Sequence, residues 1–266
     1  SVLVSYLADI LNDKYMINIL SRGYRRKSKG FQIANKSSNP NYLGDEPFMF
    51  YKQNPKVRVG VCNRRREGMQ RLIKSSNKNL KNIFILDDVY QHRWVKPSIM
   101  ILLTEYSKPY FKDYLFPSGN LRESRNSARR ADLIIVTKCP SELPIEERKK
   151  FISKLNIDLN QKVFFTKIKY DEHIFGKSKK LPLKILKKVP FVLVTGIADN
   201  TLLVRELKMR GLVFKTIKYK DHFTYTKKNI NKINSFSDGN LILTTEKDYY
   251  KLQDHMNSDL LFTILR

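Results

Sequence analysis

Asp87 and Asp88 follow the apolar run Ile83-Phe84-Ile85-Leu86. An apolar strand that ends in acid is how many nucleotide-hydrolysing folds hold Mg2+ beside phosphates. Successive strand side chains face opposite ways, so the two carboxylates are expected to have separate duties. One reaches a metal ion, directly or through water, and the other orients a neighbour; the same pair also suits a plain strand-to-turn junction. His92 lies four residues on. Gly44-Asp45-Glu46-Pro47 opens a helix pattern, where acids complement the unpaired amides and the dipole. Beside a cation cluster such a carboxylate stays ionised and can accept a hydroxyl proton. Ser21-Arg22-Gly23-Tyr24-Arg25 offers a hydroxyl and guanidinium groups to phosphate, with Gly23 allowing close backbone approach. In Phe116 to Glu123, proline and glycine mark a turn; Arg122 is placed to clamp a phosphate and Glu123 to serve a metal or a helix cap. Asp221-His222 follows a strand, and Thr244 to Asp248 opens a helix with a capping box from Thr245 to Asp248.

These groups need a scaffold that brings strand ends together. Apolar runs of four to six residues predict strands at Met16–Leu20, Val57–Val61, Ile83–Leu86, Ser98–Leu103, Leu133–Thr137 and Val163–Thr166. Amphipathic stretches between them predict helices over Val2–Leu11, Asp45–Gln53, Arg64–Lys74, Arg122–Arg130 and Pro144–Leu155. Such alternation builds a parallel sheet with flanking helices, whose ligands sit beyond the carboxyl ends of the strands. The Lys-rich stretch Gly176–Lys188 carries little that looks like core and reads as a linker. Beyond it a smaller α/β set is expected, with strands Phe191–Thr195, Leu212–Ile217, Leu241–Thr244 and Leu260–Leu265 and helices Asn200–Met209, Thr226–Ile233 and Lys247–Gln253. The expected organisation is therefore a catalytic domain over 1–175, a linker over 176–189 and a smaller C-terminal domain over 190–266.

The chain has 266 residues, 41% hydrophobic and 11% aromatic, which is core enough to exclude general disorder. No apolar run approaches the roughly 18 residues that span a bilayer. Cys62 and Cys139 match neither a disulfide framework nor a CxxC metal site, which fits a reducing compartment. The net charge of +26 favours anionic partners, whether nucleic acid, acidic lipid headgroups or phosphorylated substrates. Part of it is compositional, since Lys, Asn, Ile and Tyr are abundant throughout. Arginine is clustered, at Arg22–Arg26, Arg64–Arg71 and Arg122–Arg130, and clustered guanidinium groups suit phosphate. The alternative to an enzyme is a basic nucleic-acid-binding protein on a degenerate nucleotide fold, although no nucleic-acid motif is visible.

The order and spacing of eight segments resemble the tetraacyldisaccharide 4′-kinase (lipid A 4′-kinase) family. They are Ser21-Arg22-Gly23-Tyr24, Gly44-Asp45-Glu46-Pro47, Leu86 to His92, Pro117 to Glu123, Arg130-Ala131-Asp132, Gly196-Ile197, Asp221-His222 and Thr244 to Asp248. The resemblance implies a P-loop kinase core joined to a smaller α/β domain, with the active site in a cleft between them. It implies ATP and Mg2+ as cofactors, and transfer of the γ-phosphate to the 4′-hydroxyl of tetraacyldisaccharide 1-phosphate, a lipid A precursor. Asp45 would be the base toward the sugar hydroxyl, assisted by His222. Asp87, Asp88 and Glu123 would serve the metal, and Ser1, Ser21 and Arg122 the ATP phosphates. Glu46, Arg64, His92 and Tyr24 would line the site. The partners implied are the lipid precursor and an anionic membrane surface, at the cytoplasmic face of a bacterial inner membrane, with no nucleic acid. In the family the phosphate loop is Gly-rich and ends Gly-Lys-Ser/Thr; Ser1 fits its final hydroxyl and Tyr6-Leu7 the helix after it, so the sequence is expected to start just inside that loop. Val89 stands where the family usually has Gly, and a β-branched residue resists positive φ, so the turn after Asp88 is expected to be either adjusted or already compatible.

Overall fold

The structure, a computed structural model, describes residues 2–77 and 79–264. In chain order the first segment holds α1 (Val2–Leu11), β1 (Met16–Ser21), β2 (Gln32–Ile33), α2 (Pro40–Leu43), α3 (Asp45–Gln53), β3 (Arg58–Val61), α4 (Arg65–Lys74) and β4 (Asn82–Leu86). Next come β5 (Ile101–Glu105), β6 (Leu133–Thr137), α5 (Ile145–Leu155) and β7 (Lys162–Phe165). The last segment runs β8 (His173–Phe175), β9 (Lys180–Pro182), β10 (Phe191–Thr195), α6 (Thr201–Met209), β11 (Lys215–Lys218), α7 (Lys227–Ser237), β12 (Leu241–Thr245), α8 (Glu246–Leu252) and β13 (Leu261–Ile264).

Strand β1 is buried at every position but Met16, as expected of a strand covered on both faces in a parallel sheet. It lies between β3 and β4, parallel to both, in a sheet ordered β2-β3-β1-β4. Ile17 and Ile19 pack with Val4 and Ala8 of α1 and with Met49 and Phe50 of α3. Leu20 packs with Cys62 and Leu72. A six-stranded sheet is ordered β11-β10-β12-β13-β8-β9, with β10 to β13 parallel and β8 and β9 antiparallel. A third sheet, β5-β6-β7, is parallel throughout. The expected α/β class, parallel sheets with flanking helices, is what is observed.

The chain divides into two compact units that do not follow sequence order. One joins 1–87 to 170–266, and the other is 88–169. The expected boundary near 176 therefore separates stretches of sequence and not compact bodies. The stretch read as a linker is structured: β9 pairs with β8, and Leu183 and Leu186 are 2% and 3% exposed in a short 3-10 helix. Its lysines point outward between those leucines, which hid the core positions. The helix expected over Arg122–Arg130 is only a 3-10 turn over Arg125–Arg130. Ser124, Asn126 and Ser127 compete with helical backbone bonds, and Ser127 N–H donates to the Ser124 carbonyl at 2.9 Å. The strand expected at Ser98–Leu103 begins later, at Ile101, where pairing to β6 starts. Edge strand β11 lies beyond its expected start at Leu212, because its Lys-Thr-Ile-Lys sequence carries little apolar signal.

In the Thr244 to Asp248 segment the structural duty expected is observed, but as the Thr245 half of the expected capping box, with the Asp248 carboxylate used elsewhere. Thr245 Oγ1 accepts from the Asp248 N–H, and the fully buried Asp248 carboxylate accepts from Gly196 N–H at 2.8 Å, Thr245 Oγ1 at 2.7 Å and Tyr225 Oη at 3.1 Å. A side chain at Gly196 would place Cβ 2.7 Å from Asp248 Oδ1, so glycine is required for that bond. Burial and the neighbouring Asp248 charge push the Tyr225 phenol up, so it stays a donor. Asp248→Ala strands three donors and should lower unfolding stability by about 3 kcal/mol, read as a fall in the urea midpoint. Gly196→Ala should act in the same direction, and an unchanged midpoint in both would contradict this assignment.

Candidate active site

Strand ends place the first acids. The β1–β4 register pairs Leu20 with Leu86, so the next residues, Ser21 and Asp87, emerge side by side at the carboxyl ends of two parallel strands. Ser21 Oγ donates to Asp87 Oδ2 at 3.1 Å, and Asp87 is 7% exposed. The buried Arg65 guanidinium donates to the Cys62 carbonyl at 2.8 Å and the Asp87 carbonyl at 3.1 Å. Arg65 therefore braces two strand ends, while Arg64 and Arg66 are exposed. Asp88 adopts the left-handed conformation, φ 51°. The positive φ thus falls on Asp88, a residue type that tolerates it, and Val89 is spared.

The loop after β1 and the start of α3 approach through two glycines. Gly23 has φ 70° and Gly44 φ 95°, and a Cβ on Gly44 would meet Gly23 Cα at 3.1 Å. This contact brings the Ser21–Tyr24 loop beside Asp45, the first residue of α3. Helix α3 has no side-chain N-cap bond. Asp45 is instead bound from the other end of the sequence. His222 Nδ1 lies 2.9 Å from Asp45 Oδ2, and Lys251 Nζ lies 2.5 Å from the same oxygen. The side chains of Asp45, His222 and Lys251 are 14%, 18% and 11% exposed.

Packing of α3 on α8 makes this possible. Gln53 Nε2 donates to Glu246 at one end, Lys251 reaches Asp45 at the other, and Phe48 meets Tyr250 edge-on at 5.7 Å between centroids. The two helices therefore run antiparallel. Lys247 and Lys251, four residues apart, share one helix face. Lys247 Nζ binds Asp221 at 2.7 Å, and Asp221 Oδ2 lies 3.7 Å from His222 Nε2. His222 itself is left-handed, φ 55°, a conformation that carries strain in a residue with a Cβ and that clusters at functional sites. Tyr24 meets the His222 ring edge-on at 5.2 Å, and Arg25 donates to the His222 carbonyl at 3.4 Å.

Electrostatics follow from these contacts. Burial alone pushes the Asp45 carboxyl up, but hydrogen bonds from His222 and Lys251, with the charges of Lys251 and Lys247, outweigh it and hold Asp45 below the ordinary carboxylate range. Asp221 is treated alike: burial raises it, and the Lys247 bond and charge lower it further. The result is a mostly buried carboxylate that stays ionised, beside an imidazole whose position is fixed.

In the 88–169 unit, Arg122 donates to both oxygens of Asp88, at 2.5 and 3.3 Å. Glu123 is bound by Arg130 and lies 3.9 Å from Arg93. His92 is partly buried in the turn after Asp88, its N–H on the Val89 carbonyl at 2.7 Å. Among the sequence-predicted residues, the structure gathers Tyr24, Asp45 and His222 into one cluster and Ser21 with Asp87 into a second. Glu46 is partly buried next to Asp45 in the chain. Ser1 lies outside the described residues. Lys251 and Lys247 were not singled out from the sequence; their four-residue spacing was the available signal, masked by lysine abundance.

Comparison with known proteins accords with this geometry. A family model described as tetraacyldisaccharide-1-P 4′-kinase matches residues 2–265. The tetraacyldisaccharide 4′-kinase of Flavobacterium psychrophilum is 42% identical over 97% of this chain and 75% of its own length. That of Flavobacterium johnsoniae is 40% identical over 94% and 73%, and that of Bacteroides thetaiotaomicron 34% over 94% and 70%. A crystal structure of LpxK from Aquifex aeolicus in complex with ATP superposes with a TM-score of 0.73 and 29% identity, over 99% of this chain and 77% of that one. The reading as a nucleic-acid-binding protein is left without support, and the chain belongs to the tetraacyldisaccharide-1-P 4′-kinase family.

Proposed function

We propose that this chain transfers the γ-phosphate of ATP to the 4′-hydroxyl of tetraacyldisaccharide 1-phosphate, in lipid A biosynthesis, with Asp45 as the acceptor of the hydroxyl proton. The observation that carries the assignment of Asp45 is its mostly buried carboxylate, held ionised by His222 and Lys251. In the loose transition state of phosphoryl transfer, the bond to the incoming oxygen is little formed. Its proton therefore leaves late, and the acceptor needs position and charge more than strong basicity. His222 fixes one side of the carboxylate, and Lys251 fixes the other. Tyr24, Glu46, Arg64 and His92 are assigned to the site lining.

Ser21 and Asp87 are hard oxygen donors beyond parallel strand ends, the donor type that Mg2+ takes, so the residues present fit that ion. Asp87 is assigned to Mg2+, with Asp88 and Glu123 as its partners only once Arg122 and Arg130 release them, since no group of three such side chains is gathered for a metal among the described residues. Ser21 and Arg122 are assigned to the ATP phosphates, and the two-pronged contact Arg122 makes with a carboxylate is of the kind that suits phosphate. When bound, Mg2+ neutralises phosphate charge. The acylated substrate and the +26 charge support work at an anionic membrane surface, at the cytoplasmic face of the inner membrane. No helix among the described residues is long and apolar enough to cross a membrane.

Transfer of labelled phosphate from ATP to the monophosphorylated disaccharide lipid, in detergent micelles, checks the assignment. Asp45→Ala should lower kcat by roughly 10²-fold or more, and wild-type turnover would remove Asp45 from the chemistry. Lys251→Met should move the acidic limb of the kcat–pH profile upward, because a depressed folded pKa loses part of its cause. The stability linkage has the same sign. Asp45 contributes stability above the ordinary value of 3.8, and that contribution is lost as pH falls through the lower folded value. Lys251→Met should therefore also raise the pH at which acid unfolding begins, followed by circular dichroism.

A further inference from the structure

Two loops in the 88–169 unit present large apolar side chains outward. Trp94 is 87% exposed and Ile99 61%; Tyr114, Leu115 and Phe116 are 64%, 50% and 79% exposed. These exposures are built into held loops. Phe116 N–H donates to the Leu121 carbonyl, Leu121 N–H to Tyr114, and Gly119 N–H to Leu115, each at 3.0 Å. Asp113 accepts from the N–H groups of Tyr114 and Asn120, and Arg125 binds the Asp113 carbonyl. The loop tip thus satisfies much of its own backbone, and an apolar tip of that kind can leave water without stranding polar groups. The loops are also tied to each other, by Arg122 on Asp88, Arg93 near Glu123 and Tyr90 Oη on the Ser127 carbonyl at 2.7 Å.

Charge decides what such a surface fits. Between residues 88 and 130 the sequence has eight Lys and Arg against four Asp and Glu. Asp88, Asp113 and Glu123 are already engaged by Arg122, by backbone amides and by Arg130. Arg93, Lys96 and Lys112 are exposed and neighbour the apolar tips in the chain, and Lys108 is exposed between the two loops in sequence. Exposed Trp and Tyr flanked by cations are the signature of the headgroup level of a bilayer.

We propose that these two loops dock the protein on an anionic lipid bilayer, with Trp94 and Phe116 entering the headgroup boundary and the flanking Lys and Arg meeting lipid phosphates. The proposal rests on the reading that the substrate is an acylated lipid, and it names the surface that meets the leaflet holding it.

Trp94 is the only tryptophan in the sequence, so selectively excited tryptophan fluorescence reports this site alone. Vesicles of phosphatidylglycerol and phosphatidylethanolamine should sediment the chain and shift its emission to the blue, with weaker binding in high salt and on pure phosphatidylcholine. Trp94→Ala and Phe116→Ser should each weaken vesicle binding by about tenfold, the scale of one lost apolar anchor, and Trp94→Phe should recover part of it. An unchanged thermal melt shows that the variants are folded. Transfer to micelle-dispersed substrate, scored separately, should persist in them. Absence of vesicle binding, binding without a Trp94 shift, or full binding by both variants would overturn the proposal. A blue shift that grows with protein concentration without lipid would overturn it in favour of a second copy of the chain. Trp94-dependent vesicle binding without any phosphate transfer would uphold this surface and count against the kinase reading alone.

Discussion

A carboxylate held almost out of water needs its charge balanced by neighbours, and the Asp45 cluster is built around that need. Removing one partner of such a pair costs about 3–5 kcal/mol, so the polypeptide that delivers the partners is tightly constrained. His222 and Lys251 arrive from the last third of the chain, more than 170 residues from Asp45. Their arrival fixes the antiparallel packing of α3 on α8, and with it the closure of 1–87 with 170–266 into one unit. Lys247 and Asp221 extend the cluster so that two cations face two carboxylates around one imidazole. The left-handed backbone of His222 is held by these contacts.

The other half of the chemistry depends on sheet register. Pairing Leu20 with Leu86 sets Ser21 and Asp87 side by side, and Arg65 braces the strand ends from beneath. A slip of one residue would turn each of these groups to the other face of the sheet. Fully buried Asn18 of β1 resists that slip, because its amide donates to Asn82 Oδ1 at 3.0 Å and its oxygen accepts from Arg58 at 3.2 Å, and a slip would strand both bonds. Phosphoryl transfer asks a protein for fixed positions and fixed charges, and buried parallel strands with a charge-balanced helix pair supply both.

Much of this was legible in the sequence where strands are short and apolar. Strands β1, β4, β6, β10 and β12 are short apolar runs ended by polar residues, and their observed limits fall within a residue or so of the expected ones. Edge strands β2, β9 and β11 carry little apolar content and were missed or shifted. Asp45, Asp87 and His222 stood out because acids and a histidine follow strands or open a helix. Lys251 did not, because one lysine among many has no local mark; only docking of α8 on α3 gives it a partner. Which distant segments close into one unit was equally hidden, since that depends on which helix faces meet. The stretch over 176–189 shows the same limit at small scale, two buried leucines being enough to anchor it amid exposed lysines.

The cluster works only if Asp45 is an ionised carboxylate held by His222 and Lys251. A carbon-13 NMR titration of the folded chain, with the Asp45 carboxyl assigned by comparison with Asp45→Asn, addresses it most directly. The midpoint is predicted to lie below the ordinary value of 3.8. A midpoint at or above that value in the folded protein would mean that burial outweighs the two partners and that Asp45 is not held ionised by them.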